Sequence, residues 1–197
     1  MYVIRQIPVD HIAGPNNYLW WCMRLVPTVL VLVLAGCGGS SVRGSEQPNE
    51  APLTVASPDL PAGSVPREFT CDGTNRMPRL EWSSPPSATQ ELVVEMLDPD
   101  APGGTFTHWL AYGIPAETSS LGPPLSAAVL EGVNDFGRRG YGGPCPPRGT
   151  THHYHFIVLA LDTRLRLPDG MKRSELEARI EGHVIGRGEL VATYQRA

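Results

Sequence analysis

Short hydrophobic runs separated by clusters of turn residues punctuate this chain. "RLEWSS" (79–84), "ELVVEML" (91–97) and "THWLAYGI" (107–114) are short runs rich in branched and aromatic residues, and the turn cluster "PPSATQ" separates the first two. That pattern predicts strands. The longest run is "HHYHFIVLALD" (152–162). Its alternation puts His152, Tyr154, Phe156, Val158 and Ala160 on one face, and His153, His155, Ile157, Leu159 and Leu161 on the other. The second half is apolar on both faces, which predicts a central strand covered from both sides. "GELVATYQ" (188–195) predicts a last strand. A single helical pattern stands out: Ser174 as cap, Glu177 completing a capping box, Leu176, Ile180 and Val184 as the apolar stripe, and Gly186 as the stop. Between Leu121 and Thr151 glycine and proline are too frequent for a helix, so a long ordered loop is predicted there, of a kind that commonly carries function. The fold class is mainly β, without internal repeats.

Composition adds the turns and the compartment. With 21 glycines and 20 prolines in 197 residues, the chain suits one loop-rich domain. A net charge of −4 and the absence of any basic run exclude a nucleic-acid binder. "MRLVPTVLVLVLAGC" (23–37) has a basic start, a short apolar run and small residues before a cysteine. It reads as an export signal over 23–36 and resembles a bacterial lipobox, with Cys37 as the lipidated mature N-terminus. A plain signal peptide or an undersized membrane helix would share part of this pattern. Residues 1–22 do not suit a signal and read as an extension of the gene model. "GGSSVRGSEQPNEAP" follows, and residues 37–52 read as a flexible tether to a domain at 53–197. An exported chain lies in an oxidising compartment, so Cys71 and Cys145 are either a disulfide or two partly buried thiols.

Candidate chemistry centres on "DPDAPGGTFTHW" (98–109). Pro99 and Pro102 stiffen the backbone around Asp98 and Asp100, and Gly103–Gly104 permits a reversal before His108. Local pattern alone fits a Pro/Gly turn with solvated acids as well as a rigid polar loop beside a pocket.

"DPDAP…HW", followed by "GYGGPCPPRGTTHHYHFIVLALD", resembles the phosphatidylethanolamine-binding protein family, also called Raf kinase inhibitor proteins, in its bacterial branch. "FTCDGTN" (69–75) and the closing "EGHVIGRGELVATYQR" share the resemblance, which runs from about Leu53 to Arg196. It implies a β-sandwich-like domain with a large antiparallel sheet, a smaller sheet and a few peripheral helices, one near the C-terminus. It also implies a small anion-accepting pocket. Asp98 and Asp100 match the motif acids, His108 the pocket histidine, Pro146 and Pro147 the wall, and His152 and Tyr154 the later His and Tyr. Cys145 stands where a glycine is frequent. His153 replaces the motif arginine, which predicts the loss of a structural ion pair. Phe106 is a candidate for an aromatic wall residue.

Such a constellation predicts a binding protein rather than an enzyme. An aspartate fixes the tautomer of one imidazole, whose other nitrogen is then expected to be a donor aimed at an anion. Tyr154 and the backbone N–H groups of "RGYGGP" would add donors. The expected partners are a small anion or phosphorylated headgroup and, through the lipid, the membrane of the bacterial envelope. No cofactor or metal is expected. A second reading is a modulator or inhibitor of a kinase-like or hydrolase partner docked at the pocket. Weaker readings are a Cys145 nucleophile activated by His108 or His152, and a metal held by His108, His152 and Asp98. Related bacterial proteins often pair as homodimers, but no interface signature is visible in this chain.

Overall fold

The computed structural model describes residues 50–197. The expected extension (1–22), the signal peptide (23–36), Cys37 and the tether up to residue 49 lie outside the described residues. In chain order the elements are β1 (Ala51–Leu53), β2 (Val55–Ala56), β3 (Leu80–Trp82), β4 (Glu91–Asp98), β5 (Phe106–Pro115), β6 (Ser120–Leu121), β7 (Leu130–Glu131), β8 (Thr151–Leu161), α1 (Arg173–Ile180) and β9 (Val184–Gln195). The first strand begins two residues before the expected domain start.

Six strands form the large sheet in the order β1-β9-β8-β4-β5-β7, and β2-β3-β6 form the small one. The large sheet is mixed rather than purely antiparallel: β1 runs parallel to β9 at its edge. Every residue of β4 is buried, as befits a strand flanked on both sides and covered on both faces. Leu92, Val94 and Met96 join Tyr154, Phe156 and Val158 in one core, closed by Val55, Leu80 and Trp82 from the small sheet. Val93 and Leu97 join Ile157, Leu159 and Leu161 in a second core, closed by Leu176 and Ile180 of α1. The faces of β8 are those read from its alternation. The second half of that strand is apolar because a layer covers each side.

The helix departs from its prediction. Lys172, not Ser174, is the N-cap, and Ser174 lies inside the first turn. The Glu175 carboxylate accepts the Lys172 N–H at 2.9 Å, so it, and not Glu177, tethers the start. Glu177 instead pairs with Arg173. The helix stops at Ile180, Gly182 takes a positive φ of 78°, and Val184 and Gly186 already belong to β9. Apart from α1, the described residues hold only two short 3-10 turns, Pro61–Gly63 and Arg67–Phe69. From Leu121 to Thr151 the chain forms the predicted long loop, interrupted only by β7.

Candidate functional site

At the end of β4 the first core gives way to polar side chains. Asp98 closes the strand and Pro99 turns the chain away. Asp98 Oδ1 accepts the N–H of Asp100 at 2.9 Å, a local turn of the kind aspartate favours. Asp98 Oδ2 accepts from His152 Nδ1 at 2.7 Å, across 54 positions of sequence. His152 reaches it because it is on the same face of β8 as Tyr154 and Phe156.

His108 arrives by a different device. Met96 pairs with Trp109 and Leu97 with Thr107, so His108 is an extra residue in a β-bulge. Strict alternation would put it on the face of Leu110 and Tyr112. The bulge re-aims it toward Asp98, with His108 Nε2 at 3.8 Å from Asp98 Oδ2. That is too far for a direct hydrogen bond. Its Nδ1 lies 2.7 Å from the Gly142 carbonyl, and since a carbonyl only accepts, Nδ1 carries the proton. By the same reasoning His152 Nδ1 donates to the Asp98 carboxylate. With Nδ1 committed to an acceptor in both rings, Nε2 is the nitrogen left toward the cleft: a lone pair in the neutral ring and a donor in the imidazolium.

Asp98, His108 and His152 are each almost fully buried. Burial alone would raise the Asp98 carboxyl, but the nearby His108 ring and the hydrogen bond from His152 outweigh it and hold the group below the usual carboxylate range.

Around this trio is a cleft of about 310 Å³, lined by Asp98, Ala101, Pro102, Phe106, His108, Phe136, Cys145, Pro146, Pro147, His152 and Arg196. Phe106 and Phe136 meet edge to face at 4.7 Å, and Phe136 is T-shaped on His108 at 5.3 Å. One side of the cleft is thus charged and the other aromatic. Phe136 and Arg196 were missed in the sequence. Both come from segments without periodicity, the long loop and the chain end. Phe106, the candidate wall residue, does line the cleft.

The cleft wall is held in place by the segment 69–75. Cys71 and Cys145 form a disulfide with Cα atoms 5.4 Å apart, which removes Cys145 as a thiol nucleophile. Asn75 Oδ1 accepts the Gly143 N–H at 2.8 Å, and the Tyr141 hydroxyl donates to the Phe69 carbonyl at 2.7 Å. A Cβ on Gly143 would approach the Phe69 carbonyl oxygen to 2.2 Å, so only glycine lets the loop approach this closely. Asp72 accepts from Arg196 Nε at 3.1 Å and from the Tyr194 hydroxyl at 2.9 Å, steadying the cation at the rim.

Two expected ligand contacts do not face the cleft. Tyr154 is fully buried behind the histidines, its ring edge-on to His108 at 5.2 Å. Burial, with Asp98 and Asp100 nearby, pushes its phenol far up, and its hydroxyl has no hydrogen-bond partner among the described residues. Sharing a strand face with His152 placed it one step deeper, inside the core. Asp100 turns outward, where its Oδ2 accepts from both the backbone N–H and the Nδ1 of His153 at 2.8 Å. His153 thus supplies a carboxylate partner in place of the arginine, and the expected loss of an ion pair is replaced by a pairing that depends on imidazole protonation. Among the described residues no three His, Cys, Asp or Glu side chains are placed to hold a metal ion, and no helix is long and apolar enough to cross a membrane.

The sequence model of the family described as phosphatidylethanolamine-binding protein matches residues 56–195. The UPF0098 protein PH1269 of Pyrococcus horikoshii is 45% identical over 181 residues, covering 87% of this chain and 89% of its own length. A Mycobacterium tuberculosis protein whose name, LppC, marks a proposed lipoprotein is 38% identical over 185 residues, covering 84% of this chain and 92% of its own length. Among solved structures, Escherichia coli YbcL, described as a member of the mammalian PEBP family, superposes with a TM-score of 0.69 at 30% identity. The match covers 74% of this chain and 99% of YbcL.

Proposed function

Since this chain belongs to the phosphatidylethanolamine-binding protein family, we propose that it is a non-catalytic, lipid-anchored protein of the bacterial envelope whose cleft takes a small phosphorylated anion. The observation that carries this reading is the pair of buried imidazoles, each with Nδ1 committed to an acceptor and Nε2 left for a ligand. Arg196 adds a permanent cation at the rim. Phosphate oxygens on Nε2 need protons there, supplied by the solvent or by the hydroxyl of a monoprotonated phosphate. Asp98 holds the His152 ring at the cleft wall through Nδ1. Its own negative charge opposes a second anion, so the site works through local donors and not through net attraction.

The aromatic half of the cleft suits a ligand whose phosphate carries an organic group. Among the described residues that line the cleft there is no serine, threonine or lysine, and Cys145 is bridged. The anchor rests on the lipobox-like residues that end at Cys37 and on the LppC relative. Incorporation of labelled fatty acid into the protein, lost in Cys37→Ser, tests it. For the cleft, calorimetric titration with inorganic phosphate and with phosphoethanolamine is the direct experiment. Saturable binding that disappears in His152→Ala supports the reading. Equal heats in wild type and variant contradict it.

A further inference from the structure

Glu95 is on β4 with Asp98 but faces the opposite layer. Beneath α1 and the start of β9 lies a cavity of about 410 Å³, separate from the anion cleft and sharing no residue with it. Leu97, Ile157, Leu159, Ile180 and Val184 give it an apolar lining. Glu95 is only 5% exposed, and its Oε1 has no hydrogen-bond partner among the described residues. A carboxylate accepts and cannot donate, so a buried, empty-handed oxygen in a cavity is a demand for a donor. The same strand meets that demand elsewhere: Glu91, equally buried, has its two oxygens filled by the N–H groups of Gly113 and Leu165.

The remaining charges indicate which donor fits. Glu50, Glu177 and Glu181 join Glu95 around the cavity, against Arg173 and Arg187. Arg173 is paired with Glu177 at 2.7 Å through one terminal nitrogen, while its buried Nε, like Glu95 Oε1, has no partner among the described residues. The lining is therefore net negative, with an apolar floor. Burial pushes the Glu95 carboxyl upward, with Arg173 opposing, as expected for an acid lacking a close counter-charge. A hydrated inorganic ion gains nothing from five aliphatic side chains. A nitrogen cation on a short hydrocarbon uses both halves of the site.

We propose that this cavity is a second binding site, one that takes a primary ammonium on a short apolar chain, with the Glu95 carboxylate as acceptor and counter-charge. The probe is n-butylammonium chloride, titrated into the full chain and followed by the backbone amide NMR shifts of Glu95, Ile157 and Leu159. Saturable shifts at millimolar concentration are expected. Glu95→Gln, which removes a buried charge and keeps the shape, should weaken binding at least tenfold while leaving phosphate binding unchanged. n-Butanol, which has the same chain without the charge, should bind at least tenfold more weakly. Ala178→Trp is at an exposed position of α1 on the cavity rim, so the fold tolerates it, and it should block entry. Equal binding by Glu95→Gln, by Ala178→Trp or of butanol overturns the proposal. So does a lack of saturable shifts in the wild type, which would leave water as the cavity's only occupant.

Discussion

Asp98 and Glu95 stand three residues apart on one strand and are about equally hidden from water, at 3% and 5% exposure. Their chemistry is opposite. Asp98 is surrounded by donors, so its carboxyl is held below the ordinary range despite burial. Glu95 has an oxygen that no donor reaches among the described residues, and burial pushes its carboxyl up. Hiding a carboxylate therefore does not define a site; its partners do. On one face of β4 the partners are built into the protein and organise histidines for an anion. On the other the partner is left to be supplied.

The largest expected effect separates the two regions by removing the brace of only one. Reducing the Cys71–Cys145 bridge, or replacing both residues by serine, frees a loop closed across 74 positions. Stability should fall by about 2–4 kcal/mol, roughly 5–15 °C in melting temperature. Phosphate binding should weaken along with it, while the ligand-free amide shifts around Glu95 stay in place. Equal disturbance on both faces would break the comparison.

Asp98→Asn comes next. It removes the counter-charge of His152 and should cost about 2 kcal/mol of stability at pH 7 and at least tenfold in phosphate affinity, measured by thermal melts and calorimetry. The pH dependence follows from the lowered carboxyl. The folded value lies below the unfolded one, so the contribution of Asp98 is complete above the ordinary value of 3.8. It disappears as pH falls through the folded value. Wild type and variant should therefore converge in strong acid.

Glu95→Gln should have the reverse sign. Its folded value is raised, so the ionised form destabilises the protein at pH above that value, and the penalty is gone below the unfolded value of 4.5. The variant should be more stable by about 1 kcal/mol at pH 7, roughly 2–4 °C. The gain should shrink on acidification, as parallel melts at two pH values would show. The smallest effect belongs to Asp100→Asn. Its side chain is half exposed and pairs with an exposed His153, so stability should change by less than about 0.5 kcal/mol. Phosphate affinity, set by groups that the Asp100 side chain does not touch, should stay within twofold, because the backbone N–H that it gives to Asp98 is kept.

Some of this was legible in the chain. The two faces of β8 follow from alternation because both layers are apolar, and a period of two survives tertiary packing. The helix start was misplaced because a serine and a glutamate three residues later mimic a capping box two residues too late. The carboxylate of Glu175 reaches back to Lys172 instead. Asp98, His108 and His152 were grouped by family resemblance, and periodicity would have separated them: the bulge that turns His108 leaves no mark in the hydrophobic pattern. Tyr154 entered as a ligand contact through the family resemblance, and alternation, which gives a face but not a depth, did not tell it from His152. Arg196 and Phe136 come from segments with no period to read. Glu95 was not singled out in the sequence, since "ELVVEML" does not say that both faces of β4 are covered.

The central claim is that Asp98 fixes His152 with Nδ1 protonated and Nε2 open to an anion. Imidazole nitrogen-15 NMR of the labelled chain, recorded while inorganic phosphate is added, tests it most directly. The expected result is an Nδ1 that stays protonated throughout and an Nε2 whose signal moves saturably as phosphate fills the cleft. An Nε2 signal indifferent to phosphate, or a proton found on Nε2 and missing from Nδ1 before any anion is present, would contradict the claim.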